Sequence, residues 1–295
     1  SEKVIETVKH PVMDLLREYR RTCKFKSSYV DNFLEMAVDG ILHPSINQNE
    51  ARTGRFSIRK PALQTLPKSD VVIRKGIVPK DEYKLFMIDY KQQEYRVFLD
   101  YAGEEEIVKM VNEEGIDFHT LISESLGISR SFAKTINFGL LYGMGNRTLG
   151  EKLGISQDEA KEIRVEFFKK LPNAKQLFNQ VESAIVLRGF IRNKFDRKRR
   201  LGGDEAYKGV NALIQGTCAD FMKAKMVELY EFLKPYKSRM ILQVHDELIF
   251  EIHNDEENLI EDIADIMEEC SKWFSVNLDV DIEFSEKSWG DKEEW

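Results

Sequence analysis

Four side chains in the stretch RSFAKTINFGLLYG, residues 130–143, recur at every fourth position: Arg130, Lys134, Phe138 and Tyr142. On an α-helix such residues share a face and drift by roughly 40° per step, so they would form one stripe about 18 Å long. Two cations stand at one end and two flat rings at the other. A nucleoside triphosphate has the same polarity, an anionic tail followed by a sugar and a base. Guanidinium and ammonium groups bind phosphate, and rings pack on sugar and base. The spacing also suits a core-facing aromatic stripe with two cations snorkelling out of it. Gly139 costs about 1 kcal/mol against alanine in a helix interior, which suggests close approach by another planar group.

Three carboxylates form the second constellation. Asp89 ends the apolar run LFMI at residues 85–88, and Asp246 with Glu247 stands at the tip of a predicted hairpin, QVHDELIF. Carboxylates brought together from strand ends suit hard divalent cations. Mg²⁺ takes one or two protein carboxylates and completes its shell with water and substrate phosphates. Two such ions clamp the attacking and leaving oxygens of an in-line phosphoryl displacement. The competing reading is plain turn chemistry, because Asp is common in solvent-exposed turns.

The elements that must position these groups follow from periodicity. Residues 1–40 space their apolar positions at three and four, as a helix does. A stretch rich in Pro, Gly and Asn follows and reads as loop with short strands. KLFMIDY reads as a buried strand, and residues 91–188 read as mostly helical. Within them, Ser156 and Glu159 suggest a capping box at the start of a helix. GFIRNKFDRKRRLGG suggests a hairpin, and the stretch from Ala206 to Leu233 a long helix. SRMILQVHDELIFEIH reads as two strands, EENLIEDIADIMEECSKWF as an amphipathic helix, and NLDVDIEFS as a half-exposed strand. Strands near both ends with helices between them imply an α+β fold, an antiparallel sheet interrupted by a helical block.

Composition fits a globular protein of 295 residues with 42% hydrophobic and 32% charged side chains. The N-terminus shows no apolar signal segment, and no apolar run approaches membrane-spanning length. Cys23, Cys218 and Cys270 are scattered singly and read as reduced thiols in an intracellular setting. The net charge of −7 argues against a nucleic-acid partner only as an average. Residues 251–295 hold 16 acids and 3 bases, while residues 1–250 hold 35 acids and 41 bases, a net of +6. Basic clusters such as RKGIVPK and RNKFDRKRR keep nucleic acid open as a partner.

Five motifs, in order between residues 53 and 250, carry a resemblance: TGRFS with LQTLP, DYKQQEYR, RSFAKTINFGLLYG, NALIQGTCAD and QVHDELIF. The chain resembles the polymerase module of family A DNA polymerases, the bacterial DNA polymerase I type. That resemblance implies the base of a thumb at 1–40, palm at 41–100 and 205–295, and mostly helical fingers at 101–204. The palm would be an antiparallel sheet flanked by helices, with the thumb largely absent. The implied activity is template-directed addition of deoxynucleotides to a primer 3′-OH, releasing pyrophosphate. Asp89, Asp246 and the Tyr90 carbonyl would hold two Mg²⁺ ions, with Mn²⁺ as a substitute, and Glu247 would sit beside them. Gln92, His119, Arg130 and Lys134 would bind the triphosphate, with Lys134 giving a proton to the leaving pyrophosphate. Phe138 would pack on the deoxyribose, Tyr142 would stack near the templating base, and Glu94 would exclude a ribose 2′-OH. Arg55, Gln64, Asn211, Gln215, Gln243 and His245 would contact the primer–template duplex, largely in its minor groove.

The same resemblance implies partners: primer–template DNA, deoxynucleoside triphosphates, and a separate chain carrying the thumb or exonuclease, with no membrane. Two other activities stay open, a single-subunit RNA polymerase and a non-catalytic primer–template-binding subunit of a split polymerase. The chain departs from the family pattern at Lys91, Gln93, Ser131 and Tyr207, the last standing where the family usually has arginine. Residues 119 and 130 are also closer in sequence than in the bacterial enzymes.

Overall fold

The computed structural model describes residues 10–66 and 72–295. The first nine residues of the expected thumb base and Pro67 of LQTLP lie outside the described residues. Helix α1 (Pro11–Phe25) is capped by His10, whose Nδ1 accepts from the Val12 N–H at 3.1 Å. A π-helical turn, Lys26–Val30, leads into α2 (Asp31–Met36). The Pro/Gly/Asn-rich stretch forms a small ribbon, β1 (Ser45–Asn47) against β2 (Ser57–Arg59).

β3 (Tyr83–Tyr90) opens the main sheet. The helical block follows: α3 (Gln93–Ala102), α4 (Glu105–Glu114), α5 (Phe118–Leu126), α6 (Arg130–Leu141), α7 (Asn146–Leu153), α8 (Gln157–Lys170) and α9 (Pro172–Arg188). Both hydrogen bonds of the capping box at Ser156 and Glu159 are present at the start of α8. A hairpin of β4 (Phe190–Arg192) and β5 (Lys198–Arg200) leads to the long helix α10 (Gly209–Leu233). β6 (Arg239–Val244), β7 (Glu247–His253), α11 (Leu259–Glu268), β8 (Val280–Ser285) and β9 (Glu293–Glu294) complete the chain.

Among the described residues the main sheet has the order β6-β7-β3-β8-β9, antiparallel throughout. The α+β expectation holds, and β3 sits in the middle of the sheet. Alternation explains its apolar run. Phe86 and Ile88 join the large core shared with α10 and α11, whereas Leu85 and Met87 join a second core with Ile58, Leu63 and Trp289. Covered on both faces, β3 needs apolar residues at consecutive positions. Two details differ from the sequence reading. The final helix ends at Glu268, not at residue 274, and β9 was not foreseen. Two residues pairing with Glu283 and Phe284 carry no periodic signal. No helix among the described residues is long and apolar enough to cross a membrane.

Candidate active site

The two constellations meet at one end of β3. β6 and β7 are joined by a two-residue turn, His245–Asp246, between the paired residues Val244 and Glu247. His245 has a φ of 58°, the left-handed conformation that such tight turns use. The Tyr90 N–H donates to the Asp246 carbonyl at 3.3 Å, which pins the turn beside the end of β3. Glu247 is therefore not at the tip, as the sequence suggested. It is the buried first residue of β7, directly opposite Asp89. On the other side Asp89 faces Asp281 of β8, a carboxylate that sequence reasoning missed. Cross-strand partners project from one face, so Asp89 is flanked by acidic neighbours. Lys91 forms an ion pair with Asp281 at 3.0 Å.

Beside this corner lies a cleft of about 340 Å³ lined by Arg55, Gln64, Glu94, Gln215, Gln243 and Asp246, with His245 at its edge. Gln64 donates to Gln243 at 3.2 Å, and Gln243 in turn to the His245 carbonyl. Arg55 forms an ion pair with Glu94. Burial pushes the Glu94 carboxyl above its ordinary pKa; Arg55 and a hydrogen bond from Tyr142 pull it back, and the charge of Asp246 adds to the rise. Tyr142 reaches Glu94 at 3.3 Å and accepts from Gln215 at 2.9 Å. Asn211, one turn before Gln215 on α10, does not line the cleft, and its buried Nδ2 has no hydrogen-bond partner. Cys218 also lines the cleft, but burial pushes its thiol well above the ordinary value, so it stays protonated.

The stripe of α6 is on the surface. Ser129 caps the helix, Ala133, Ile136, Asn137, Leu140 and Leu141 face the core, and Arg130, Lys134, Phe138 and Tyr142 are exposed. Phe138 is 38% and Tyr142 41% exposed, which rules out the core-facing alternative. Lys134 Nζ stands 6.0 Å from the centre of the Phe138 ring. A groove of about 560 Å³ runs along Lys134, Phe138, Tyr142 and Met144. The aromatic end of the stripe therefore borders the carboxylate-bearing cleft through Tyr142.

Three expected contributors have different surroundings. Gly139 is buried, and a Cβ there would lie 3.2 Å from Leu149 Cδ1 and 3.3 Å from Met144 Sδ. The close approach comes from α7 and the turn before it, not from a ligand. His119 lies behind the ridge, 4% exposed, with its ring edge-on to Tyr95 at 4.6 Å. Burial, with Arg130 and Lys134 nearby, lowers its pKa to about 4 against the pull of Asp117. Asn137 Nδ2 donates to its Nδ1 at 2.9 Å, which places the ring proton on Nε2. Gln92 has its amide engaged, donating to Asp117 and accepting from the Phe118 N–H at 3.1 Å.

Asp117 is the residue sequence reading missed here. It caps α5 through the Thr120 N–H at 2.7 Å and holds Arg130 in a two-pronged pair, Nε at 3.2 Å and Nη2 at 2.8 Å. Partial burial raises its pKa, but Arg130 and the cap bonds outweigh that and bring it to about 2. Asp is a favoured N-cap residue, but no helix start was read at residue 118, so nothing in the sequence reading marked Asp117.

Comparison with known proteins gives this geometry a context. A model of DNA polymerase family A matches residues 1–291. The thermostable DNA polymerase I of Thermus aquaticus is 32% identical over 312 residues, covering 97% of this chain and 37% of that protein. DNA polymerase I of Helicobacter pylori is 35% identical over 265 residues, covering 83% of this chain and 30% of that protein. The POL domain of Pol1 from M. smegmatis, solved in complex with DNA primer-template and dNTP, superimposes with a TM-score of 0.88 at 28% identity. That match covers 98% of this chain and 55% of the solved one. The chain spans about a third of the length of the curated relatives it matches. With a family model aligned along nearly its whole length and a fold shared with a polymerase domain, this chain belongs to DNA polymerase family A.

Proposed function

We propose that this chain is the catalytic part of a template-directed DNA polymerase, with its palm at 41–100 and 205–295, fingers at 101–204 and a thumb base at 1–40. The observation that carries the reading is the hydrogen bond from Tyr90 to the Asp246 carbonyl, which sets the hairpin turn beside Asp89. The exposed ridge of α6 opens onto the same cleft. The reaction is attack of a primer 3′-OH on the α-phosphorus of a deoxynucleoside triphosphate, with loss of pyrophosphate.

Asp89, Asp246 and the Tyr90 carbonyl are oxygen donors, and the protonated Cys218 beside them offers no thiolate. That donor set fits Mg²⁺, with Mn²⁺ as a substitute. No group of three or more His, Cys, Asp or Glu among the described residues is arranged to hold a metal by itself, so substrate oxygens would complete the shell. When bound, two such ions would neutralise charge on the attacking and leaving oxygens. The protein positions the reactants. Arg130 exchanges Asp117 for triphosphate oxygens, and Lys134, one turn on, reaches the leaving group with a proton. Phe138 packs on the sugar. Glu94, held by Arg55 and Tyr142, fills the space a 2′-OH would need, which favours deoxynucleotides over the RNA polymerase reading. Gln64, Gln243, Gln215 and Arg55 present amides and a cation to minor-groove acceptors, which are nearly independent of sequence.

Val12, Leu15 and Tyr19 on α1 are 55%, 66% and 67% exposed, which supports cover by further polypeptide, the thumb among the candidates. The deciding experiment is primer extension with Mg²⁺, wild type against Asp246→Ala. Extension by the wild type and none by the variant is expected; retained extension by the variant refutes the assignment.

A further inference from the structure

Four glutamines line the catalytic cleft: Gln64, Gln93, Gln215 and Gln243. Three of them donate an amide N–H to the protein. Gln64 donates to Gln243, Gln243 to the His245 carbonyl, and Gln215 to the Tyr142 hydroxyl. Gln93 is the exception. It is 3% exposed, and its Nε2, closed off from water, has no hydrogen-bond partner among the described residues. Cys218, Ala219 and Met222 of α10 are buried and line the same cleft, and none carries a side-chain oxygen that could accept from it.

Local structure explains how the amide comes to lie there. Gln92 takes a left-handed φ of 51° at the start of α3, and its side chain is held by Asp117 and the Phe118 N–H. Gln93 and Glu94 are the first two residues of α3. Successive side chains on a helix diverge by about 100°, so adjacent glutamines serve different places. An apolar side chain of the same size would fill the Gln93 site without burying a bare donor, and an apolar residue is what the family usually has there. An amide kept at this position calls for an acceptor that the protein alone does not supply.

We propose that Gln93 is a further positioning residue, donating its amide N–H to the minor-groove acceptor of the primer-terminal base, purine N3 or pyrimidine O2; the inference rests on the polymerase reading above. The amide lines the same 340 Å³ cleft as Glu94 and Asp246, where that reading brings the primer end and the triphosphate together. The terminal torsion of glutamine is soft, so the amide turns to meet an acceptor that enters the cleft. Every base pair presents acceptors in the minor groove, so one donor serves every primer end. The hydrogen bond forms only when DNA is in place, and it relieves the bare donor that the free protein carries.

The test uses the whole chain, the variant Gln93→Leu, and two primers that end in deoxyguanosine or in 3-deaza-deoxyguanosine, which keeps its pairing face and lacks the N3 acceptor. The wild type should add one nucleotide about tenfold more slowly to the 3-deaza primer. Gln93→Leu should be about tenfold slower on the ordinary primer, with most of the difference between the two primers gone. Without DNA, its denaturation midpoint should match or exceed that of the wild type, because the bare donor has been removed. An unchanged ratio between the two primers overturns the proposal, and a lower midpoint with that unchanged ratio would mark Gln93 as a packing residue. If the wild type extends neither primer, the catalytic reading falls, and the same ratio taken from equilibrium binding of the two duplexes decides the Gln93 contact.

Discussion

His119 should make the fold sensitive to mild acid. Its pKa falls from an ordinary 6.5 to about 4 because the ring is buried behind the α6 ridge near two cations. The native state therefore keeps the imidazole neutral where the unfolded chain already protonates it. The unfolded state binds more protons between pH 6.5 and 4, so stability falls as pH drops through that window and levels off below it. At about 1.4 kcal/mol per unit of pKa, the loss between pH 7 and pH 5 comes to about 2 kcal/mol. That is a large part of a typical 5–15 kcal/mol stability. Chemical denaturation of wild type and His119→Gln at both pH values isolates the effect, since the variant has no group to titrate there. The wild type should lose about 2 kcal/mol more than the variant on acidification. Parallel losses would refute the assignment of a buried neutral imidazole.

Gly143→Ala forces a φ of 68° on alanine and drives a Cβ to 2.4 Å from a backbone oxygen, so we expect a loss of about 3 kcal/mol in denaturant titration. Arg197→Ala strips the guanidinium that pairs with Asp220, itself 8% exposed; a loss of about 3 kcal/mol is expected, and Asp220→Asn in the same chain should restore part of it. Glu94→Ala should raise ribonucleotide use in primer extension by about tenfold, and an unchanged preference would count against its role beneath the sugar.

Local patterns were legible where physics is local. The capping box of α8, the one-sided stripe of α6 and the strand–turn–strand of QVHDELIF all follow from spacing within about a dozen residues, whereas that the stripe faces solvent and not the core is seen only in the folded chain. Five motifs in order made the family legible as well. Gly139 was misread because a missing side chain says that something comes close, not what; Leu149 and Met144 are found only once α7 has folded back. The burial of His119 was not legible because it depends on Tyr95 and Phe138, 24 residues before it and 19 after it. Asp117 and Asp281 escaped notice for the same reason. Each becomes part of the site through a partner that no periodicity reveals, Arg130 for one and Asp89 for the other.

The central place of β3 also governs how the polypeptide must come into being. Its two sheet neighbours, β7 and β8, lie after the whole helical excursion, so during synthesis it waits while roughly 150 residues leave the ribosome, on the order of ten to thirty seconds. Through that interval a sticky four-residue segment, LFMI, has no sheet partner. Nascent helices, or a holding chaperone, must shield it until the final hairpin arrives. Premature termination before residue 247 should therefore yield aggregates, not a smaller working molecule.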